Sequence, residues 1–338
     1  MHHYIWENHA PGEGLKIQRA ICNATFWNHR VDMPEALWIM IASPGHCAFF
    51  PETVVRLFGA AALNELMAAP GFPAAVQVAA ANAVRLYDGN WLRNRLLNDR
   101  GRFLAVLLIL DLHFTESGGR GVTGARLRRE VVDLGVCSAG RATAFLAALR
   151  FKDLLTACPQ RDAKERRLMP GAALLQMHRE RWNGMFSAIA HLDAAAAVDA
   201  RALPDDLLYG PCTHAMADCF RQGVRVFDAA PELRDVAERD AGLAMLVSLM
   251  ATGEALSITQ LARRFSVSRA HVGNVLQRAE TLGLASSEPS RSGYRAGPAL
   301  QPALMRFYAI VFLIFLTALK EGQRQAASQI GARTPSAS

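Results

Sequence analysis

Apolar residues recur along this chain at helical spacing, and the pattern predicts a mainly α fold. Residues 70–73 (Pro-Gly-Phe-Pro) separate the first two predicted helices from each other. Residues 103–114 are apolar almost throughout, so this helix is predicted to be buried on every side. Helices are predicted over residues 51–69, 74–97, 103–114, 172–192 and 240–252.

The most apolar stretch runs from Phe307 to Leu319, thirteen residues without a charge. A membrane-spanning helix needs about 20 apolar residues, so a buried helix or a subunit-interface helix is predicted instead. A homodimer through this helix is therefore one candidate assembly, and no membrane partner is expected. The polar residues that begin at Gln323 predict a frayed tail.

Residues 257–279 predict two short helices joined by a turn, the spacing of a helix-turn-helix. Ser257 and Gln260 fit a capping box, and Ser268 is suited to cap the second helix. The second helix has one apolar stripe, formed by Val272, Val275, Leu276 and Ala279. Its opposite face carries Arg269, His271, Asn274, Gln277 and Arg278.

This polar face matches the chemistry that reads DNA bases in the major groove. An arginine pairs with guanine, and an asparagine or glutamine pairs with adenine. A two-stranded hairpin is predicted at residues 286–296, where Arg291 and Arg295 suit phosphate or minor-groove contact. Arg263 and Arg264 on the first helix are further candidates for contact with the DNA backbone.

A similar pattern occurs earlier in the chain. Residues 138–154 match residues 268–284 at an offset of 130, with Ser138 aligned to Ser268. The outward face of its second helix is poor in base-reading side chains, and Arg141 and Thr143 are the candidates there. Its predicted backbone contacts are Arg126, Arg128, Arg129, Arg161, Lys164, Arg166 and Arg167.

The net charge of +7 is concentrated in these same two regions. Residues 120–167 hold 11 Lys and Arg against 5 Asp and Glu, and residues 257–295 hold 6 against 2. The rest of the chain is therefore net acidic. Two local maxima of positive charge, each on a helix-turn-helix pattern, favour double-stranded DNA as the partner.

The order of apolar helix, helix-turn-helix, hairpin and long helix resembles winged-helix transcription regulators of the MarR type. The resemblance is carried by residues 258–268 and 275–284, and the earlier copy departs from it at Asp153, where glycine is expected. It implies a pair of winged helices in one chain, acting on pseudo-palindromic DNA. The predicted domains are an N-terminal helical region (1–100), a first unit (101–192), a second unit with the long helix (193–325) and a tail (326–338).

The functional hypothesis is a cytoplasmic, DNA-binding transcription regulator without catalytic activity or cofactor. No nucleophile-elbow, zinc-protease or phosphate-loop motif is found in the sequence. Cys212, His214 and Cys219 lie close together but lack a second ligand pair, so packed thiols are favoured over a metal site. The alternatives are a helical protein-interaction module, a plasmid-type replication initiator, an unrecognised enzyme and a sensor with an unknown small-molecule effector.

Overall fold

In the computed structural model, the first described stretch of the chain, residues 50–97, forms four helices. The structure describes residues 50–97, 100–115, 122–158, 167–195, 205–288 and 293–333. The two helices predicted before residue 97 are each divided, because Gly59 and Gly89 adopt positive φ values of 85° and 66°. The four helices are α1 (Glu52–Phe58), α2 (Ala60–Ala68), α3 (Phe72–Tyr87) and α4 (Trp91–Leu97).

The first unit contains four helices and a small sheet. Strand β3 is central in the antiparallel order β1-β3-β2, pairing Val122 with Leu168 on one side and Leu155 with Pro170 on the other. The elements are α5 (Arg100–Thr115), β1 (Val122–Thr123), α6 (Gly124–Asp133), α7 (Ala139–Phe151), β2 (Leu155–Ala157), β3 (Arg167–Pro170) and α8 (Ala172–Ile189).

From residue 205 onwards, the described residues of the second unit form two extra helices and then follow the same order as the first unit. Its strands β4 and β5 are antiparallel, and Leu256 forms an isolated bridge to Tyr294 on the free side of β5. The elements are α9 (Asp205–Arg221), a 3₁₀ turn (Val226–Ala229), α10 (Pro231–Ala237), α11 (Gly242–Thr252), α12 (Ile258–Phe265), α13 (Arg269–Thr281), β4 (Ala285–Glu288), β5 (Gly293–Ala296) and α14 (Leu300–Arg333).

The two units also share a backbone hydrogen bond that joins the residue after the hairpin to the residue before it. Gly171 N–H donates to Leu154 O at 2.9 Å, and Gly297 N–H donates to Leu284 O at 3.0 Å. The turns before these acceptors have positive φ, 53° at Asp153 and 69° at Gly283. Asp153 therefore adopts the backbone conformation of the glycine that it replaces, since a short polar side chain tolerates the left-handed region.

Helix α14 forms the centre of the core and packs mainly against α9. The Phe312 and Leu319 side chains are completely buried, as is most of the stretch predicted to be apolar. The helix is longer than predicted and continues through the expected tail to Arg333. Leu300–Gln325 has the length and hydropathy of a membrane span, but 72% of its most apolar window is buried inside the fold, as in the core helix of a soluble protein.

The prediction of a mainly helical fold is confirmed, and all the described residues belong to one compact unit. The apolar helix α5 is buried over most of its length, as expected. Most of the Phe307–Leu319 stretch is buried within a single chain, as expected for a core helix, and the homodimer through it stays a prediction.

A charged network ties the first unit to α9. The Asp111 carboxylate, on α5, is 1% exposed and lies 2.8 Å from His214 Nδ1 on α9. Arg221, also on α9, pairs with Asp111 and donates from Nε to Glu130 Oε1 on α6 at 2.8 Å. The buried carboxylate is thus paired, which is the condition under which a charge is tolerated in a core.

A buried histidine occupies the contact between α8 and α9. His178 Nε2 accepts a hydrogen bond from Trp182 Nε1–H at 2.8 Å and lies 2.8 Å from Thr213 Oγ1. Burial, followed by the positive charge of Arg181, lowers the pKa of His178 to about 3. The imidazole is therefore neutral in the folded protein at neutral pH.

We expect Gly171→Ala and Gly297→Ala each to destabilise the fold by about 1–3 kcal/mol, because a Cβ there overlaps backbone atoms. At Gly171 the added Cβ would lie 2.5 Å from Asp153 O, and at Gly297 it would overlap Gly283 O. Gly140→Ala is the control, since its Cβ meets open space and should add up to about 1 kcal/mol of helix stability. Urea denaturation measures all three; an unchanged midpoint for Gly171→Ala and Gly297→Ala contradicts the described turn.

We expect His178 to make stability fall as the pH drops below about 6.5. The pKa of His178 is lower in the folded protein than in the unfolded chain. As the pH falls from about 6.5 towards 3, protonation of His178 therefore stabilises the unfolded chain relative to the folded protein. Between pH 7 and pH 5 the wild type should lose up to about 2 kcal/mol more than His178→Gln, which accepts the indole hydrogen bond without titrating. Equal losses in the two proteins, measured by denaturation at both pH values, would show that His178 titrates normally.

Candidate nucleic-acid interface

Helices α12 and α13 begin and end at the residues that the sequence indicated. The capping box is present, with Gln260 N–H donating to Ser257 Oγ at 3.2 Å and Ser257 N–H donating to Gln260 Oε1 at 2.8 Å. Ser266 ends α12 with φ of 57°, and Ser268 Oγ accepts from His271 N–H at 3.1 Å. The turn between the helices is therefore fixed at both ends by side-chain or backbone hydrogen bonds.

The apolar stripe of α13 is fully buried, so the opposite side of the helix faces solvent. Asn274 and Gln277 lie on this outward side, next to the exposed Arg269. Among the described residues, the side chains of these three have no hydrogen-bond partner. Three of the five base-reading residues predicted on α13 are thus both exposed and without a partner among the described residues, and they are available to a ligand.

The other two predicted base-reading residues lie on the flank of α13 that faces α10 and the turn after it. His271 Nε2 lies 2.8 Å from the backbone oxygen of Asp240. Arg278 forms an ion pair with Asp235 on α10, and this hydrogen bond lowers the pKa of the Asp235 carboxyl. Both side chains bind this chain itself and hold α13 against α10.

The arginines of the second unit that are predicted to contact the DNA backbone also differ in their surroundings. Arg263 is exposed on α12, whereas Arg264 turns to the corner between α3 and α4, with its Nε 3.4 Å from Asp88 Oδ2. The Arg264 carbonyl oxygen accepts from Gly89 N–H at 3.0 Å. Arg295 pairs across the hairpin with Glu288. Arg291 lies outside the described residues.

The first unit has the same local frame with a different outward surface. Thr123 Oγ1 accepts from Arg126 N–H at 3.1 Å, and Ser138 Oγ accepts from Arg141 N–H at 3.4 Å. The outward face of α7 is mostly alanine and glycine, and the exposed Thr143 donates to the carbonyl of Ala139 at 2.9 Å. This helix therefore offers few free hydrogen-bonding groups, as the sequence predicted.

The basic residues of the first unit lie mainly on α6. Arg126 and Arg129 are exposed, Arg128 is half-buried, and Arg167 is half-buried at the start of β3. The loop residues Arg161, Lys164 and Arg166 lie outside the described part of the chain.

An exposed aromatic patch where the first unit meets α4 was not anticipated from the sequence. Phe151, at the end of α7, is 81% exposed, and Trp91, at the start of α4, is 53% exposed. Lys152 Nζ lies 5.1 Å from the Phe151 ring and 5.3 Å from the Trp91 ring. The two residues are 60 positions apart in sequence, so only the fold brings them to the same lysine.

The cysteines and the histidine that lie close together on α9 take part in packing and in an ion pair within the chain. Cys212 and Cys219 are buried, and burial raises the pKa of these thiols to about 12 and about 11. Cys212 Sγ lies 3.3 Å from the carbonyl of Ala318, and His214 is bound to Asp111. Within the described ranges, no cluster of three metal-ligating side chains is present.

Comparison of the chain with protein-family models, with curated proteins and with solved structures found no match. The assignment of a function to this interface therefore depends on the residues themselves.

Proposed function

We propose that the protein is a DNA-binding transcription regulator that uses two winged helices in one chain on double-stranded DNA. The observation that carries the proposal is the outward face of α13, where Arg269, Asn274 and Gln277 project from a helix whose other side is fully buried. A rigid helix with unpartnered polar groups on one face is what base reading in the major groove requires.

The division of the polar residues assigns different roles within this interface. Asn274 and Gln277 are each suited to a bidentate contact with adenine, and Arg269 to a contact with guanine. His271 and Arg278 bind α10 and its following turn, so their role in the proposal is to orient α13 rather than to read bases.

The phosphate contacts in the proposal come from the exposed arginines. Arg263 on α12 and Arg126 and Arg129 on α6 are exposed, and α6 precedes α7 as α12 precedes α13. Because α7 has few free polar groups, the first unit would add affinity through phosphates and the second unit would supply most of the sequence preference.

This proposal places the protein in the cytoplasm and gives it no catalytic step and no cofactor. Its test is a gel shift of the purified chain on random-sequence duplex DNA, with selection of the bound pool. An enriched sequence motif together with steep salt dependence supports a regulator; absence of binding at low salt overturns the proposal.

We expect Asn274→Ala and Gln277→Ala to weaken binding to the selected duplex by about 1–3 kcal/mol each, because each removes a base contact. Thr143→Ala is the matched control on α7 and should change affinity by less than about 0.5 kcal/mol, since the Thr143 hydroxyl bonds its own helix. Gel-shift titration at fixed salt measures the three affinities. A larger loss for Thr143→Ala than for Asn274→Ala would transfer the reading role to the first unit.

We expect Arg263→Gln, Arg126→Gln and Arg129→Gln each to reduce the slope of log affinity against log salt by about 1, because each removes one phosphate contact. Arg264→Gln should leave this slope unchanged, since Arg264 faces Asp88. Titrations between low and moderate salt measure the slopes. Equal losses for Arg264 and Arg263 would show that the exposed face has been assigned wrongly.

A protein-interaction role for the first unit is a second candidate, favoured by the aromatic patch of Trp91 and Phe151. Large exposed aromatic side chains are typical of protein-binding surfaces. Binding of DNA that is unaffected by Arg126→Gln and Arg129→Gln would favour this role for the first unit, with the second unit alone contacting DNA.

A further inference from the structure

A cavity of about 590 Å³ lies where the two units and the N-terminal helices meet. Helices α5 and α8 of the first unit, helices α11 and α14 of the second unit, and α3 contribute to its wall. The wall is mostly apolar and includes Phe103, Leu107, Leu243, Val247, Tyr308 and Phe315. This volume is within the range of about 300–1,000 Å³ that is typical of sites for small molecules.

The charged residues of the wall are predominantly positive. Arg85, Arg93, Arg181 and Arg225 contribute to it, and Glu180 is its one acidic residue among the described lining residues. Glu180 is paired with Arg93. The wall therefore carries an excess of positive charge next to an apolar space, an arrangement that favours an anion.

Arg181 is the arginine best placed to receive such an anion. Its guanidinium carbon lies 4.6 Å from the centre of the Phe103 ring and 5.6 Å from that of Tyr87, and the side chain donates to the Tyr87 hydroxyl. Among the described residues Arg181 has no carboxylate partner. The aromatic rings fix the guanidinium at the wall and leave its charge uncompensated.

Arg93, on the same wall, is bound by groups of this chain, so it is less available to an anion than Arg181. Its Nη1 donates to Leu86 O at 3.1 Å, but its buried Nε has no hydrogen-bond partner in the described structure. Buried charged donors are rarely left without a partner in folded proteins.

We propose that this cavity is a binding site for a small apolar molecule that carries one anionic group, such as a carboxylate or a sulfonate. The apolar body occupies the space between the helices of the two units, and the anionic group lies near Arg181. Neutral apolar molecules of the same size bind more weakly because they leave the positive wall uncompensated.

A ligand in this position would act on both units at the same time, and this consequence rests on the proposed DNA binding. Helix α5 leads into β1 and α6, and helix α11 leads through Leu256 into α12. A molecule that binds one arrangement of these helices more tightly than another shifts the population, and with it the spacing of the two DNA-contacting surfaces.

The test of the site uses two fluorescent probes and needs no DNA. Anilinonaphthalene sulfonate is an apolar anion, and phenylnaphthylamine is its neutral counterpart. We expect saturable binding of one anilinonaphthalene sulfonate per chain, at least tenfold tighter than phenylnaphthylamine. Absence of saturable binding overturns the site, and equal affinities for the two probes overturn the anionic group.

Two kinds of variant locate the probe. Arg181→Met should reduce the affinity for the anionic probe at least tenfold and leave the affinity for the neutral probe nearly unchanged. Ala83→Trp and Ala244→Trp, which fill the cavity from α3 and α11, should remove binding of both probes. Ala81→Trp is the control on the exposed side of α3. Thermal unfolding identifies the variants that fold, and unchanged binding in a folded cavity-filling variant overturns the proposed location.

The coupling to DNA is measured separately. The Kd for the selected duplex should change at least fivefold at a saturating concentration of the anionic probe in the wild type but not in Ala244→Trp. An unchanged Kd overturns the coupling, while the probe titrations still establish the site. If the chain binds no DNA, the proposed function fails and the probe titrations decide the cavity proposal alone.

Discussion

Burial of α14 is the interaction on which the rest of the structure depends. Its apolar residues contact α9 along most of their length and also contact α3, α8 and α11. Burial of apolar surface is the dominant favourable contribution to folding. Because α14 is the last element of the second unit, this burial joins the second unit to helices from every other part of the described chain.

The same principle applies on a smaller scale to α13. Four side chains with complete burial fix one side of this helix, and the contacts of His271 and Arg278 fix its flank. The polar residues of the third side then need no partner inside the chain. A preorganised binding site needs this combination: polar groups that have no partner within the protein, held in place by a rigid support.

Local patterns predicted local structure well in this chain. The capping box at Ser257, the caps at Ser138 and Ser268 and the apolar stripe of α13 depend on residues within one or two turns, and all are present. The divided N-terminal helices were missed because Gly59 and Gly89 were not recognised as breaks. The length of α14 was missed because burial by other helices supports it beyond the apolar stretch.

Features that depend on distant residues could not be predicted. Nothing near Arg264 in sequence indicates that it faces Asp88, and the ion pair of Arg278 with Asp235 joins residues 43 positions apart. The cavity is another such feature, since its wall combines helices from all parts of the fold. Helical periodicity shows which residues are apolar but cannot show where packed helices leave space.

The unlike outward faces of α7 and α13 have a consequence for how the chain would lie on DNA. A symmetric dimer has two identical reading helices and binds in either orientation with equal energy. A single chain with one polar and one alanine-rich helix has no such symmetry. Under the proposed function its two orientations on a site differ in energy, so the bound protein has a direction along the DNA and presents different surfaces to its two sides.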